Sequence, residues 1–190
     1  YRLEEVEGEA RYRPGRVEFT NVLARHDREV LSVASGTWNA TPDGGWQFAL
    51  DGCNIDRIAP HRELVAALPP RWQNAIEHIQ PSGTFDVFNS GLSFTKAAGL
   101  ERIAAAWDVN LSCHQATLRG GLPLHGVTGK VRLFGRDDAQ LSYLAGELDL
   151  DSVMLKEVQL TSVRGPLWVD KEFCHFGDGA MAKLGQPPRR

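Results

Sequence analysis

Trp107-Asp108-Val109-Asn110-Leu111-Ser112-Cys113-His114 alternates apolar and polar residues without a break. Side chains of an extended chain point to opposite faces in turn, so this stretch predicts a strand with one greasy and one wet face. The same period of two recurs on both sides of it. Residues 3–13 lead through Pro14-Gly15 into residues 16–23, where Val17, Phe19, Asn21 and Leu23 fall on one face and Glu18, Thr20 and Val22 on the other. A third strand is predicted over 29–39. Thr41-Pro42-Asp43-Gly44-Gly45 then marks a turn, because proline presets one turn dihedral and glycine accepts positive φ. Trp46, Phe48 and Leu50 return on one face, which makes residues 37–55 the best-defined hairpin.

Only residues 59–79 change period. Leu64, Val65 and Leu68, then Trp72, Ala75, Ile76 and Ile79, recur at helical spacing on either side of Pro69-Pro70. Proline disfavours helix in the residue before it but suits a first helical turn, so two short helices with a bend are predicted. Strands resume at Thr84, and Val127, Gly129, Val131 and Leu133 line another. Three further strands are predicted over 140–150, 153–160 and 162–169. The tail at 177–190 has no periodicity and is expected to be irregular. Short strands joined in sequence favour antiparallel meanders over parallel crossovers. The fold class is therefore mainly β: an elongated, curved, groove-like antiparallel meander sheet with one short two-helix insertion. The expected division is β-meander over 1–58, helical insertion over 59–80, β-meander over 81–176 and tail over 177–190. The chain starts at Tyr1 inside a predicted strand, so it reads as one continuous fragment of a larger protein.

Two segments look alike. Val6-Glu7-Gly8 and Val127-Thr128-Gly129 each lead through a polar turn to a strand, ending in Leu23 and near Leu144, and each then continues through a small residue and glycine, at Ser35-Gly36 and Ala145-Gly146. A repeated meander unit predicts a sheet that grows by addition along one axis.

Composition narrows the function classes. Hydrophobic residues make up 42% and charged residues 24%, a globular balance. The net charge of −3 comes from mixed signs with no basic stripe, so a nucleic-acid partner is not expected. Cys53, Cys113 and Cys174 are odd in number and far apart, and read as small free hydrophobes. The six histidines show no helical i, i+4 pair, and no Cys-x-x-Cys occurs, so no metal site or cofactor is expected. His26, beside Asp27 in a predicted turn, is expected to be solvated. There is no nucleophile elbow or phosphate loop. Asp51, Asp56, Asp86 and Asp108 are scattered over several strands, so the chain is not expected to be an enzyme.

Ala67-Leu68-Pro69-Pro70 leading through Trp72 to Ile79-Gln80-Pro81-Ser82-Gly83-Thr84-Phe85-Asp86-Val87 resembles the AsmA-like proteins of bacterial envelopes, large planctomycete members in particular. So do Leu124-His125-Gly126-Val127-Thr128-Gly129-Lys130-Val131 and Leu160-Thr161-Ser162-Val163-Arg164-Gly165-Pro166-Leu167-Trp168-Val169-Asp170. The resemblance covers roughly residues 3–188 and its motifs are structural. It implies a segment of a long β-groove of the bridge-like lipid-transfer type. The parent would be anchored in the inner membrane and reach across the periplasm. The implied partners are phospholipid or another acyl lipid, and adjacent repeats of the parent chain. It implies no catalytic residues. The anchor and most repeats of the family pattern are missing.

The candidate groove residues are Val17, Phe19, Trp46, Phe48, Trp107, Val109, Leu111, Val131 and Leu133. Two uses of this stripe stand open. It is either ordinary core beneath the helices of 59–79, the commoner use of such a stripe, or a lipid-facing groove. A structural or protein-interaction β module without ligand is the alternative function. An enzyme acting on envelope polymers comes third, because it needs convergent acids.

Overall fold

The computed structural model describes residues 2–68, 70–119, 123–138, 142–169 and 174–185. The strands are β1 (Glu4–Arg13), β2 (Arg16–His26), β3 (Glu29–Ala40), β4 (Trp46–Ile58), β5 (Ser82–Lys96), β6 (Ala104–Leu118), β7 (Leu124–Asp137), β8 (Ser142–Leu155), β9 (Val158–Val169) and β10 (Cys174–Phe176). Two helices, α1 (Arg62–Ala67) and α2 (Pro70–Ile79), form the insertion between β4 and β5, and α3 (Asp178–Lys183) follows β10. All strands lie in one sheet whose spatial order is the sequence order, and each neighbouring pair is antiparallel. The sheet is an open meander of the expected class. The 37–55 hairpin is part of it, with Trp38 opposite Phe48 and Thr37 opposite Ala49. Its turn is closed by Thr41 N–H to Gly45 O and Gly44 N–H to Thr41 O, each 3.0 Å.

The pairing shows which residues share a face. Directly opposed residues point the same way, so Val17, Trp38, Phe48, Phe94 and Ala105 form one row across five strands. The next row holds Phe19, Gly36, Leu50, Leu92, Trp107, Gly135 and Leu144. Beyond this row the alternation slips. On β2 the inward residues step from Phe19 to Val22, on β3 from Gly36 to Val33, and on β4 from Leu50 to Cys53, a three-residue step on each. Asn21 (φ 52°), Gly52 (φ 64°) and Asn89 (φ 42°) hold the left-handed conformations that make the slip. The slip crosses neighbouring strands together, so the apolar face continues past it. Ser90 fills the gap, accepting from Asn110 N–H at 2.9 Å and donating to Phe88 O at 3.1 Å, and is 1% exposed.

Four sequence expectations change here. Asn21 and Leu23 do not share the face of Val17 and Phe19. The bulge at Asn21 shifts the phase by one, turning Val22, Ala24 and His26 inward and leaving Leu23 37% exposed. His26 is therefore not solvated; it closes β2 opposite Glu29 at 8% exposure. The expected breaks near 151–152 and 161–162 lie inside β8 and β9, where Ser152 pairs Thr161 and Ser162 takes φ 53°. The turn comes instead at Lys156 (φ 55°) and Glu157. Finally, α3 occupies part of the sequence read as the irregular tail. The α3 helix lies against β9 and β10 and buries Ala180 and Met181, so packing rather than local propensity orders it.

The repeat seen in the sequence is not a topological one. Gly8, Leu23 and Gly36 sit on β1, β2 and β3, whereas Gly129 is on β7 and both Leu144 and Gly146 are on β8. The glycines nevertheless share packing roles. A Cβ at Gly36 would stand 2.8 Å from Phe19 Cδ2 and from Leu50 Cδ2, and one at Gly146 would meet Leu133 and Leu167. Each is a slot between two large inward side chains.

Candidate lipid groove

All nine predicted groove residues lie on this one face. Val17 and Phe48 share the first row, and Trp46 lies beside it, opposite Ala40. Phe19 and Trp107 share the second row. Val109 pairs Leu133, and Leu111 pairs Val131. None of the nine is buried and none fully exposed. The face also carries Trp38, Leu50, Leu92, Phe94, Leu144 and Leu148, which the sequence reading did not select. The signal was available: each is two or four residues from a selected residue or another of the face, and Trp38 is set opposite Phe48 by the 41–45 turn.

The aromatic part of the face is a loose pavement. Phe19 meets Phe48 edge-on at 6.2 Å, and Phe48 stacks on Phe94 at 6.4 Å. Trp107 lies over Gly135, where a Cβ would stand 2.5 Å from its Cζ2. Trp72 of α2 meets Trp107 edge-on at 5.2 Å, so the helical insertion covers part of the face. Among the residues paired in these rows, charge stands at one rim, where Lys96 is opposite Trp46 and Asp137 opposite Ala105.

The other face is mainly polar, although Phe134, Ala145 and Trp168 share the row of Asp108. Arg132 holds Asp108 through two bonds of 2.6 and 2.8 Å, and Arg164 reaches Asp149 at 2.6 Å. The Arg132 guanidinium holds the Asp108 carboxyl below its ordinary range. Asp86 is also lowered, first by the Arg57 backbone N–H and then by His114, which lies 2.6 Å away. Two of the four scattered acids are therefore members of local polar pairs. Cys113 is buried on the apolar face while His114 points to the polar one, as neighbours on a strand must. Burial pushes the thiols of Cys53 and Cys113 up to about 11, which keeps them protonated and poorly nucleophilic at neutral pH. The Cys174 side chain lies outside the described residues. Among the described residues no group of three or more His, Cys, Asp or Glu could hold a metal ion, and no helix is long and apolar enough to cross a membrane.

How open the face is follows from the burial. The chain exposes 12511 Å², against about 9,000 Å² expected of a compact monomer of 21.0 kDa. Its buried apolar residues are chiefly small, such as Ala24, Val33, Cys53, Ala105 and Ala116, and no aromatic side chain is among them in the described residues. A protein-family model, a curated protein or a solved structure that matches this chain was not found.

Proposed function

We propose that this chain is a segment of a lipid-carrying β-groove in an AsmA-like envelope protein. Phospholipid or another acyl lipid would lie along the apolar face. The single observation that supports this most is that nine apolar residues from four strands share one partly exposed face of an open sheet. An open sheet with a greasy face needs a helix, a partner or a ligand over it. The helical insertion is short, and its described contact with the aromatic rows is Trp72 on Trp107. Each buried methylene of an acyl chain contributes about 0.8 kcal/mol, so roughly a dozen give useful affinity without a polar contact. The headgroup would remain in water.

The partner set also includes adjacent repeats. β1 is an edge strand exposed along its whole length, and an unpaired edge accepts a further strand. In this proposal the parent protein sits in the cell envelope, anchored in the inner membrane, with the groove in the periplasm. Native mass spectrometry after mild purification tests the lipid. Bound phospholipid or fatty acid is expected. A clean apo mass, together with solubility that improves when flanking sequence is restored, would favour the ligand-free interaction module instead.

A further inference from the structure

Lys96 places a cation on the apolar face, at the end of the aromatic rows. It closes β5 opposite Trp46, and the pairs behind it run without a shift, Phe94 opposite Phe48 and then Leu92 opposite Leu50. Lys96, Phe94 and Leu92 are alternate residues of one strand, so all three side chains leave the sheet on the apolar side. The 41–45 turn fixes the place. Gly45 is buried, and a Cβ on it would stand 2.4 Å from Lys96 O and 3.1 Å from Ala98 N. Lys96 is half-buried, yet among the described residues its ammonium makes no ion pair. Other cations of this rim are held by carboxylates: Arg16 by Glu18 at 2.8 Å, Arg102 by Asp137 at 3.0 Å and Arg136 by Asp138 at 2.6 Å. Asp43, in the turn, accepts from the Thr41 hydroxyl and from the Gly45 N–H.

We propose that Lys96 is the headgroup anchor of the groove. The acyl lipid it selects is an anionic one, seated with its phosphate at this rim and its chain over Phe94 and Phe48 toward Leu92 and Leu50. This rests on the lipid reading and adds to it the headgroup class and the direction of the chain. An uncharged lipid laid on these rows would strip water from the ammonium without replacing it, and a cation with neither water nor counter-ion is costly. A phosphate supplies the counter-charge and accepts from the ammonium where the chain leaves the aromatic rows. The reverse seating has no such partner. Ser90, two residues beyond Leu92 on the same face of β5, is 1% exposed, and its hydroxyl already donates to Phe88 O and accepts from Asn110 N–H.

Tryptophan fluorescence of the whole chain, with Trp46 opposite the anchor, reads the binding of two probes that differ only in the phosphate. They are monolauroylglycerol and its phosphate monoester, lauroyl lysophosphatidate, each kept below its micellar concentration. The parent chain should bind the phosphate ester about tenfold more tightly, the scale of one charge-assisted bond at a partly exposed site. Lys96→Met should bring the two affinities to within about twofold, and Lys96→Arg should keep the preference. Lys130→Met, which removes a cation from the polar face, should keep it too. Equal affinities in the parent chain, or a preference that survives Lys96→Met, overturn the anchor and leave the groove standing. A preference lost equally in Lys130→Met belongs to overall charge and also overturns the anchor. Binding of neither probe overturns the groove itself, and the anchor with it.

Discussion

At one end of the apolar face, Cys113, Ala116, Val127, Leu150 and Val153 are 0–6% exposed, with Phe85, Leu124, Val131, Leu148 and Val163 packed against them. At the other, Phe19, Trp38, Phe48, Phe94 and Trp107 are all half-buried. Both stretches belong to one face of one sheet, and the open one has the larger side chains. The difference lies in the backbone. Around the sealed end, Gly83 (φ 102°), Gln115 (φ 55°), Gly129 (φ 128°) and Ser162 (φ 53°) fall on β5, β6, β7 and β9, and the β6–β7 and β7–β8 registers shift there. Bulges bend a strand and raise its twist, which brings side chains of the same face together. In the aromatic rows the pairing runs without a shift from Gly36 to Ala40 and from Trp46 to Leu50, so the side chains stand apart. Curvature, more than hydrophobicity, decides where this face closes.

The largest test of that contrast sets the same charge into both regions. Val127→Asp puts a carboxylate where the side chain is 2% exposed, and should cost about 4 kcal/mol or more in urea unfolding. Phe48→Asp, on the open pavement, should cost about 1–2 kcal/mol from lost partial burial. Equal losses would mean that the aromatic end is core as well.

A smaller effect probes the backbone cause. Gly129 takes φ 128°, and a Cβ there would stand 2.6 Å from Asp149 O and from Leu150 Cα. Gly129→Ala should therefore cost about 2–3 kcal/mol through strain. Gly44→Ala, a turn position at φ 89° with nothing within 4 Å of the new Cβ, should cost about 1 kcal/mol from strain alone. Similar values for the two would remove the close approach at the bulge as the reason for the sealed end.

The smallest effect belongs to the polar face. Arg132 lowers the Asp108 carboxyl in the folded chain. Its contribution to stability is thus present above the ordinary carboxylate range and is lost as pH falls through the lowered folded value. The Asp108 side chain is 45% exposed, so solvent screening limits the contribution to a few tenths of a kcal/mol. Asp108→Asn should show that difference in urea unfolding at pH 7 and none at pH 2. A loss above about 1 kcal/mol would give the wet face a structural weight that exposed pairs rarely carry.

Much of this was legible from period alone. The nine groove residues were selected by alternation within single strands, and pairing put all of them on one side. The 41–45 turn was legible because its Pro and Gly residues have a local mechanism. The bulges at Asn21, Asn89, Gln115 and Ser162 were not, since these side chains adopt positive φ only when neighbouring strands hold them there. That is why Leu23 was placed on the wrong face and His26 in solvent. The rings of His26 and His61 stack although the residues are 35 positions apart, and nothing in either local sequence announces the other.

The sequence by itself determined most of the strands, the shared side of the nine groove residues and the helical interruption between β4 and β5, because each rests on the spacing of side chains along a few residues. The tertiary structure alone decided where the apolar face seals and where it stays open. It also decided that α3 forms and that two histidines meet. Those outcomes depend on how neighbouring strands slip, bend and pack, and that information is shared among distant segments rather than held by any one of them.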